Sequence, residues 1–512
     1  MILIGELSLW IALLMAVWGA AVSFAAGIQR RGDLIASGER AAHAALFMLA
    51  LASLGLWTAL IARDFSLAHV AASTSANLPR VYTLAAFWAG PAGSLLLWSV
   101  ILAACSAVAV RANRARNGAA KPFMTGTLAA TLAFAVAALC LAENPYRRIN
   151  WIPLDGQGML PLLQQPGMTV HPPILYLGLA TTAVPLALAV DALLRRGIDA
   201  GTLLTMRRWV IVSWLFLTAG ILLGMWWVYA ETGLPGSWTR DPIGSAALFP
   251  WAVNTVLLHS LGGRGARERL LHVNVLLVFL AFLFAMYGAF VAHGGIVSSA
   301  HSYARSPVRG WAGAFLVLAF AALGYLLTRL STLKGVDGRS VPASPAPRAS
   351  RLSLPVIYAG LAAIVVVLAS QQLRRDYDVT LIPGQPRELR DPFGGAWRFT
   401  SQGVSQYGEL NRAVVAGALD VARGSRSAGM IKAERRQYLN SRGEQTSGPW
   451  PETATLSSMT QDVQVTALEF GDDEQLRARI AFNPLVAWMW IGGLVVMLGG
   501  AMALLTTERS EA

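Results

Sequence analysis

Of 512 residues, 55% are apolar and only 13% are charged, about half the charged fraction of an ordinary soluble domain. That composition excludes a water-soluble protein and makes the bilayer the main solvent of the chain. The formal net charge of +13 lies largely in short loops between apolar runs, where it orients the chain and meets lipid, so it calls for no nucleic-acid partner.

Apolar runs of about 18 residues or more predict membrane helices. In chain order these are Leu7 to Ile28, Ala41 to Ile61, Tyr82 to Val110, Pro122 to Leu141 and Pro173 to Leu194. Then follow Trp209 to Tyr229, Ile243 to Leu261, Leu271 to Ala292, Trp311 to Leu330, Leu354 to Gln371 and Pro484 to Leu505. The first run is too long for a cleavable signal and lacks a basic segment before it, so it reads as a retained helix. The expected fold is an all-α polytopic membrane protein of about eleven helices, with a small β-rich periplasmic domain before the last one. Residues 1–371 form the transmembrane core with ten of the helices, and 331–353 within it are a Pro/Ser-rich cytoplasmic linker. Residues 372–482 form the periplasmic domain, from alternating stretches broken by Gly and Pro, and 483–512 the final helix and tail.

Arginine and lysine mark alternate loops, among them Arg30, Arg31 and Arg40, then Arg111, Arg114, Arg116 and Lys121, then Arg195, Arg196, Arg207 and Arg208. Short basic loops stay in the cytoplasm. The N-terminus is therefore expected outside, and the C-terminus inside. The opposite loops, Arg63 to Val81, Glu143 to Pro172, Ala230 to Pro242 and His293 to Gly310, carry Trp, Pro, Gly and His instead, and function is sought there.

Cys105 and Cys140 fall inside predicted helices without a CxxC spacing and read as packing residues. The sequence holds no phosphate-binding Walker loop, no GxGxxG after a strand and no HExxH, which argues against ATP-driven and dinucleotide chemistry. Seven histidines remain to be considered. His171 opens the fifth predicted helix in His171-Pro172-Pro173, and His301 follows the eighth; both belong to the outer face. Singly, each reads as an interfacial polar residue. As a pair they match one of the few ways a protein grips haem iron from both sides. Trp226, Trp227, Trp238 and Trp251 would stack on a porphyrin or form an interfacial aromatic belt. Composition and periodicity leave haem binding and solute transport level, although no repeats or central charge pairs of a secondary transporter are visible.

Separated motifs decide between them. They are Trp88-Ala89-Gly90-Pro91-Ala92-Gly93-Ser94-Leu95-Leu96-Leu97-Trp98, Asn144-Pro145, Asp155-Gly156, Pro161-Leu162-Leu163-Gln164 and Pro166-Gly167 running into His171-Pro172-Pro173. Further on come Trp214 to Thr218, Gly220 to Gly224, Trp226-Trp227, Glu231, Trp238, Asp241-Pro242, Pro250-Trp251, His259, His301, and Asn483-Pro484-Leu485-Val486 with Trp488 and Trp490. In these the chain resembles the CcmF/NrfE-type haem lyases of bacterial cytochrome c maturation, as a shortened, divergent member.

The resemblance implies a haem lyase of the bacterial inner membrane that joins haem to the CxxCH motif of apocytochrome c by thioether bonds. It implies His171 and His301 as the catalytic pair and axial ligands of the substrate haem, with Trp226, Trp227, Trp238, Trp251 and Asp241 lining its loop. It also implies a structural b-type haem inside the membrane, with His259 as one iron ligand and Tyr358 standing where the family has the other. The implied partners are a CcmE-like haem chaperone, a CcmH-like apocytochrome-binding, thiol-reducing subunit, the apocytochrome and lipids. Arg147, Arg148, Arg240 and Arg305 are either propionate partners or ordinary interface arginines. Departures from the family pattern are Pro91-Ala92 for a His-Glu pair, Leu234, Ser237 and Arg240 for tryptophans, and Gly244-Ser245 for Glu-Asn. About four helices between the ninth and tenth are also missing. These departures keep a non-catalytic haem-binding scaffold in view, with a membrane transporter behind it.

Overall fold

A computed structural model describes residues 1–117, 121–234, 241–262, 268–295, 297, 299, 301–303, 306–333 and 348–509. Its helices are α1 (Ile2–Gln29), α2 (Gly32–Ala62), α3 (Ala68–Ser73), α4 (Arg80–Ala86), α5 (Pro91–Asn117), α6 (Pro122–Leu141), α7 (Pro166–Thr181) and α8 (Ala183–Arg195). They continue as α9 (Ala200–Thr232), α10 (Pro242–Ala246), α11 (Leu248–Gly262), α12 (Glu268–Gly294), α13 (Val308–Leu327), α14 (Arg348–Ser370) and α15 (Val486–Arg509). In a bilayer the backbone must satisfy its own hydrogen bonds, and an apolar run does so by coiling. Among the described residues ten helices are long and apolar enough to cross a membrane, α7 and α8 counting as one. The chain is a multi-pass membrane protein.

Two of the expected spans differ in detail. The run from Tyr82 is interrupted after α4, and α5 restarts at Pro91, because proline suits the first helical turn and pushes the residue before it out of the helical region. The run Ile243 to Leu261 breaks at Ala247, leaving α11 with 15 residues. Pro250 has no N–H to return to Ala246, so the ladder cannot continue unbroken there. Of the expected linker, 334–347 lie outside the described residues.

Between α14 and α15 the chain leaves the bundle for eight strands: β1 (Arg375–Leu381), β2 (Pro386–Arg390), β3 (Ala396–Glu409), β4 (Arg412–Arg423), β5 (Arg426–Tyr438), β6 (Trp450–Leu456), β7 (Gln461–Phe470) and β8 (Leu476–Pro484). All ladders are antiparallel in the order β1-β8-β7-β6-β5-β4-β3-β2. The edge strands β1 and β2 are consecutive in sequence, and the Tyr377 hydroxyl donates to the Arg390 carbonyl across them at 2.8 Å, so the sheet curls into a barrel-like unit. Its interior holds Phe399, Leu419, Val465, Leu476, Ile480 and Phe482, while Arg477 and Arg479 of β8 alternate outward.

This unit is mounted on the bundle at both ends. A single turn, Gln371–Leu373, separates α14 from β1. At the other end Leu485 alone lies between β8 and α15, in a left-handed conformation (φ 58°), with its amide bonded to the Thr460 carbonyl at 3.0 Å. Polar clasps fasten the sides. Buried Asp155 accepts from the Ala76 and Gly156 amides (both 2.7 Å) and, across the junction, from the Ser441 amide (2.9 Å) and hydroxyl. The Tyr229 hydroxyl donates to Asp462 at 2.7 Å, Trp450 Nε1 to Glu231 at 3.1 Å, and Asn411 Nδ2 to Gln164 at 2.8 Å.

Candidate functional site

The site begins with close packing of α7 on α9. A Cβ on Gly178 would stand 2.6 Å from the Leu217 nitrogen, and one on Gly220 would stand 2.7 Å from Leu175 Cα. Only glycine allows backbones this near, the usual device where helices meet in lipid. The Ser213 hydroxyl donates to the Gly178 carbonyl (2.8 Å), and Asn254 Nδ2 to Ser213 (3.1 Å), adding α11 to the contact.

His171 sits five residues inside α7 and does not open it. The two prolines after it leave carbonyls one turn back without their helical donors. For Pro172 that carbonyl belongs to Met168, and Trp88 Nε1 supplies the missing hydrogen bond at 3.1 Å. The approach of α9 brings the Gly220 carbonyl within 2.8 Å of His171 Nδ1. A carbonyl only accepts, so Nδ1 carries the proton and the Nε2 lone pair is available.

His301 mirrors this arrangement. Its Nδ1 donates to Asp241 at 3.0 Å, which likewise leaves Nε2 available as a ligand. Asp241 also caps α10 through the Gly244 amide at 2.8 Å. Burial works against ionising this carboxyl, but hydrogen bonds from His301, Ser299 and Gly244 outweigh it and bring its pKa down to about 2. The imidazole centroids are 5.8 Å apart, with planes at 73°. Two imidazoles bound across one metal, at about 2 Å per bond, hold their centroids roughly 6 Å apart. Trp227, 1% exposed, lies parallel to His171 (6.1 Å, 20°) and edge-on to His301 (5.1 Å, 79°), fixed by Nε1 donating to the Leu162 carbonyl at 3.1 Å. All three rings line one largely apolar cavity.

The other sequence candidates are not gathered there. Trp226 is exposed and packs over Gly167. Trp251 lies on Trp214 (6.0 Å, 22°) and donates to Thr218 at 2.9 Å. Neither lines the cavity. Trp238, Arg240 and Arg305 lie outside the described residues.

His259 and Tyr358 do meet, but in direct contact. His259 Nδ1 donates to the Thr255 carbonyl at 2.8 Å, so Nε2 accepts from the Tyr358 hydroxyl, at 2.5 Å. Axial ligands across an iron need about 4 Å between donor atoms. As placed, the two donor atoms are too close for an iron to lie between them. Both side chains are exposed on the membrane part of the protein. Among the described residues no group of three or more His, Cys, Asp or Glu is placed to hold a metal. Cys105 and Cys140 are buried free thiols.

Sequence reasoning missed His293 and Tyr303, which line the same cavity as His171 and His301. His293 is 7% exposed, in the last turn of α12, its ring 4.9 Å from that of Tyr303. The Tyr303 amide bonds to the Ala292 carbonyl at 3.0 Å and its hydroxyl donates to the Trp88 carbonyl at 3.2 Å. The signal was a third histidine eight residues before His301.

The fold and site thus define a class: polytopic membrane proteins with paired imidazoles in one cavity and a barrel-like unit rooted in two membrane helices. Residues 88–296 match the family model "Cytochrome C assembly protein". The chain is 34% identical over 365 residues to the cytochrome c-type biogenesis protein ccl1 of Rhodobacter capsulatus, covering 71% of this chain and 55% of that one. It is 34% identical over 324 residues to CcmF of Escherichia coli (62% and 48%) and 36% over 268 residues to NrfE of Haemophilus influenzae (52% and 42%). The chain belongs to this CcmF/NrfE family of cytochrome c biogenesis proteins. It spans about half the length of the curated relatives it matches. Its fold matches along nearly its whole length the solved structure titled "Cytochrome c Heme Lyase CcmF" (TM-score 0.77, 21% identity, 98% of this chain and 97% of that one).

Proposed function

We propose that this protein is a haem lyase of cytochrome c maturation, holding substrate haem between His171 and His301 at the periplasmic face of the bacterial inner membrane. One observation carries the reading: two imidazoles line one cavity with ring centroids 5.8 Å apart, each with Nδ1 committed to an acceptor and Nε2 available. That anchoring sets tautomer and ring orientation before any iron arrives. The relatives' names, and the likeness to a structure named a haem lyase, support the same assignment.

The chemistry on this reading is addition of each cysteine S–H of an apocytochrome CxxCH across a haem vinyl group. Sulfur bonds one vinyl carbon, the hydrogen goes to the other, and nothing is oxidised or reduced. Haem and thiol carry that reaction. The chain's residues hold the macrocycle by its iron, flank it with Trp227 and keep it oriented toward the incoming thiols. A haem chaperone, a thiol-reducing subunit that presents the apocytochrome, and the apocytochrome itself are the partners this scheme requires. The basic loops support an orientation with the N-terminus in the periplasm and the C-terminus in the cytoplasm.

The test is expression in a host lacking its own lyase, with a reporter apocytochrome and the other maturation factors, followed by gel staining for covalent haem. Attachment by wild type and its loss in His171→Ala and His301→Ala are expected. Haem absorbance in the purified protein without any attachment would instead leave a haem-binding scaffold, a reading favoured by Trp226 and Trp251 not lining the cavity.

A further inference from the structure

Among the described residues, two ring nitrogens in the lining of this cavity lack partners. His293 Nδ1 and Trp98 Nε1 are buried without a hydrogen bond, and both residues line the cavity that His171 and His301 share. The remaining polar groups of the lining are mostly engaged. The two axial histidines use Nδ1 on Gly220 and Asp241, Trp227 donates to Leu162, Ser94 pairs with Tyr176 at 2.5 Å, and Tyr303 donates to Trp88. Among the described residues, no lysine or arginine lines the cavity. Buried ring nitrogens left unbonded in apolar surroundings are costly; the Trp98 N–H, and His293 in its Nδ1–H tautomer, stand ready for an acceptor.

The substrate carries two such acceptors, its propionate groups, on the edge opposite its vinyl groups. We propose that His293, with Trp98 as a second donor in the lining of the same cavity, receives a propionate of the haem held by His171 and His301. His293 suits the task because a neutral imidazole can share the proton of an incoming carboxylic acid, so the pair enters the cavity without net charge. Tyr303 lies against the His293 ring at a tilt of 39°, and is itself tied to Ala292 and Trp88. Held there by its propionate edge, the macrocycle turns its vinyl edge away from His293.

The inference rests on the haem reading above, and the experiment separates the two. Purified full-length protein is titrated with ferric haem and with its dimethyl ester, following the low-spin absorbance of a bis-imidazole complex. Wild type is expected to bind haem about tenfold more tightly than the ester. In His293→Leu the two affinities should converge while the low-spin spectrum persists. His293→Gln, which keeps an N–H donor, should retain part of the preference, and Trp98→Phe should reduce it on its own. If His293→Leu does not fold, the His293→Gln and Trp98→Phe titrations decide. Undiminished preference for haem in the folded variants, or no preference in wild type, overturns the propionate assignment alone. A wild type that gives no low-spin spectrum overturns both readings.

Discussion

Two histidine-centred pairs lie in the membrane part of this protein, and they solve opposite problems. In His171/His301 each Nδ1 is held by an acceptor and the two Nε2 atoms are left for a third party. In His259/Tyr358 the imidazole nitrogen and the phenol hydroxyl satisfy each other at 2.5 Å. In the first pair His171 is buried and His301 half-buried, both against Trp227 in a cavity; the second pair is exposed on the outside of the bundle. A ligand pair is therefore distinguished less by residue type than by where its second hydrogen bond goes.

The largest effect that would sharpen this comparison is on iron itself. His171→Ala or His301→Ala should remove the low-spin bis-imidazole spectrum, whereas His259→Ala should leave it intact; a spectrum that survives both of the first two changes would break the assignment. Next comes Tyr358→His, which replaces a phenol by a shorter imidazole and opens the gap at the second pair. Haem bound per chain, measured by pyridine haemochrome, should rise above the wild-type value. Asp241→Ala should weaken haem binding about tenfold, the usual cost of losing a hydrogen-bond partner to a ligand imidazole. Tyr358→Phe should cost only about 1 kcal/mol, one exposed hydrogen bond, seen as a small fall in thermal midpoint with haem binding unchanged.

The smallest effect concerns the mount of the barrel-like unit, away from both pairs. At Asp155 burial opposes ionisation, but bonds from the Ser441 hydroxyl and the Ala76, Ser441 and Gly156 amides outweigh it, so its pKa lies below the ordinary carboxyl value. A depressed folded-state value means its stabilisation is whole above the unfolded value of about 4 and is lost as pH falls through the folded one. Limited proteolysis at the junction should therefore accelerate below about pH 4 in wild type. In Asp155→Asn that step in the pH profile should disappear.

Much of the architecture is legible in one dimension because hydropathy is. The runs around α1, α2, α6 and α12 are long and uninterrupted, and the alternation in β8 marks its two faces. The breaks before Pro91 and at Ala247 follow from prolines whose effect depends on neighbouring carbonyls, and a count of apolar residues passes over them. Of the site, His171 and His301 were visible through their motifs. His293 and Trp98 were not, since whether a ring nitrogen is bonded depends on residues far away in sequence. The direct contact of His259 with Tyr358 was hidden for the same reason: 99 positions separate them, and only packing decides whether they touch or stand apart.

The barrel-like unit has no hinge. One short turn leads into it from α14 and one residue, Leu485, leads out into α15, and α14 and α15 are packed along each other with Gly360 against Gly492. A load applied to the barrel is thus delivered into the bilayer through two adjoining shafts, one of which carries Tyr358. Anything that docks on the barrel and tilts it turns those shafts with it, and a flexible Gly/Ser insertion at Leu485 would uncouple the two motions while leaving the histidine cavity in place.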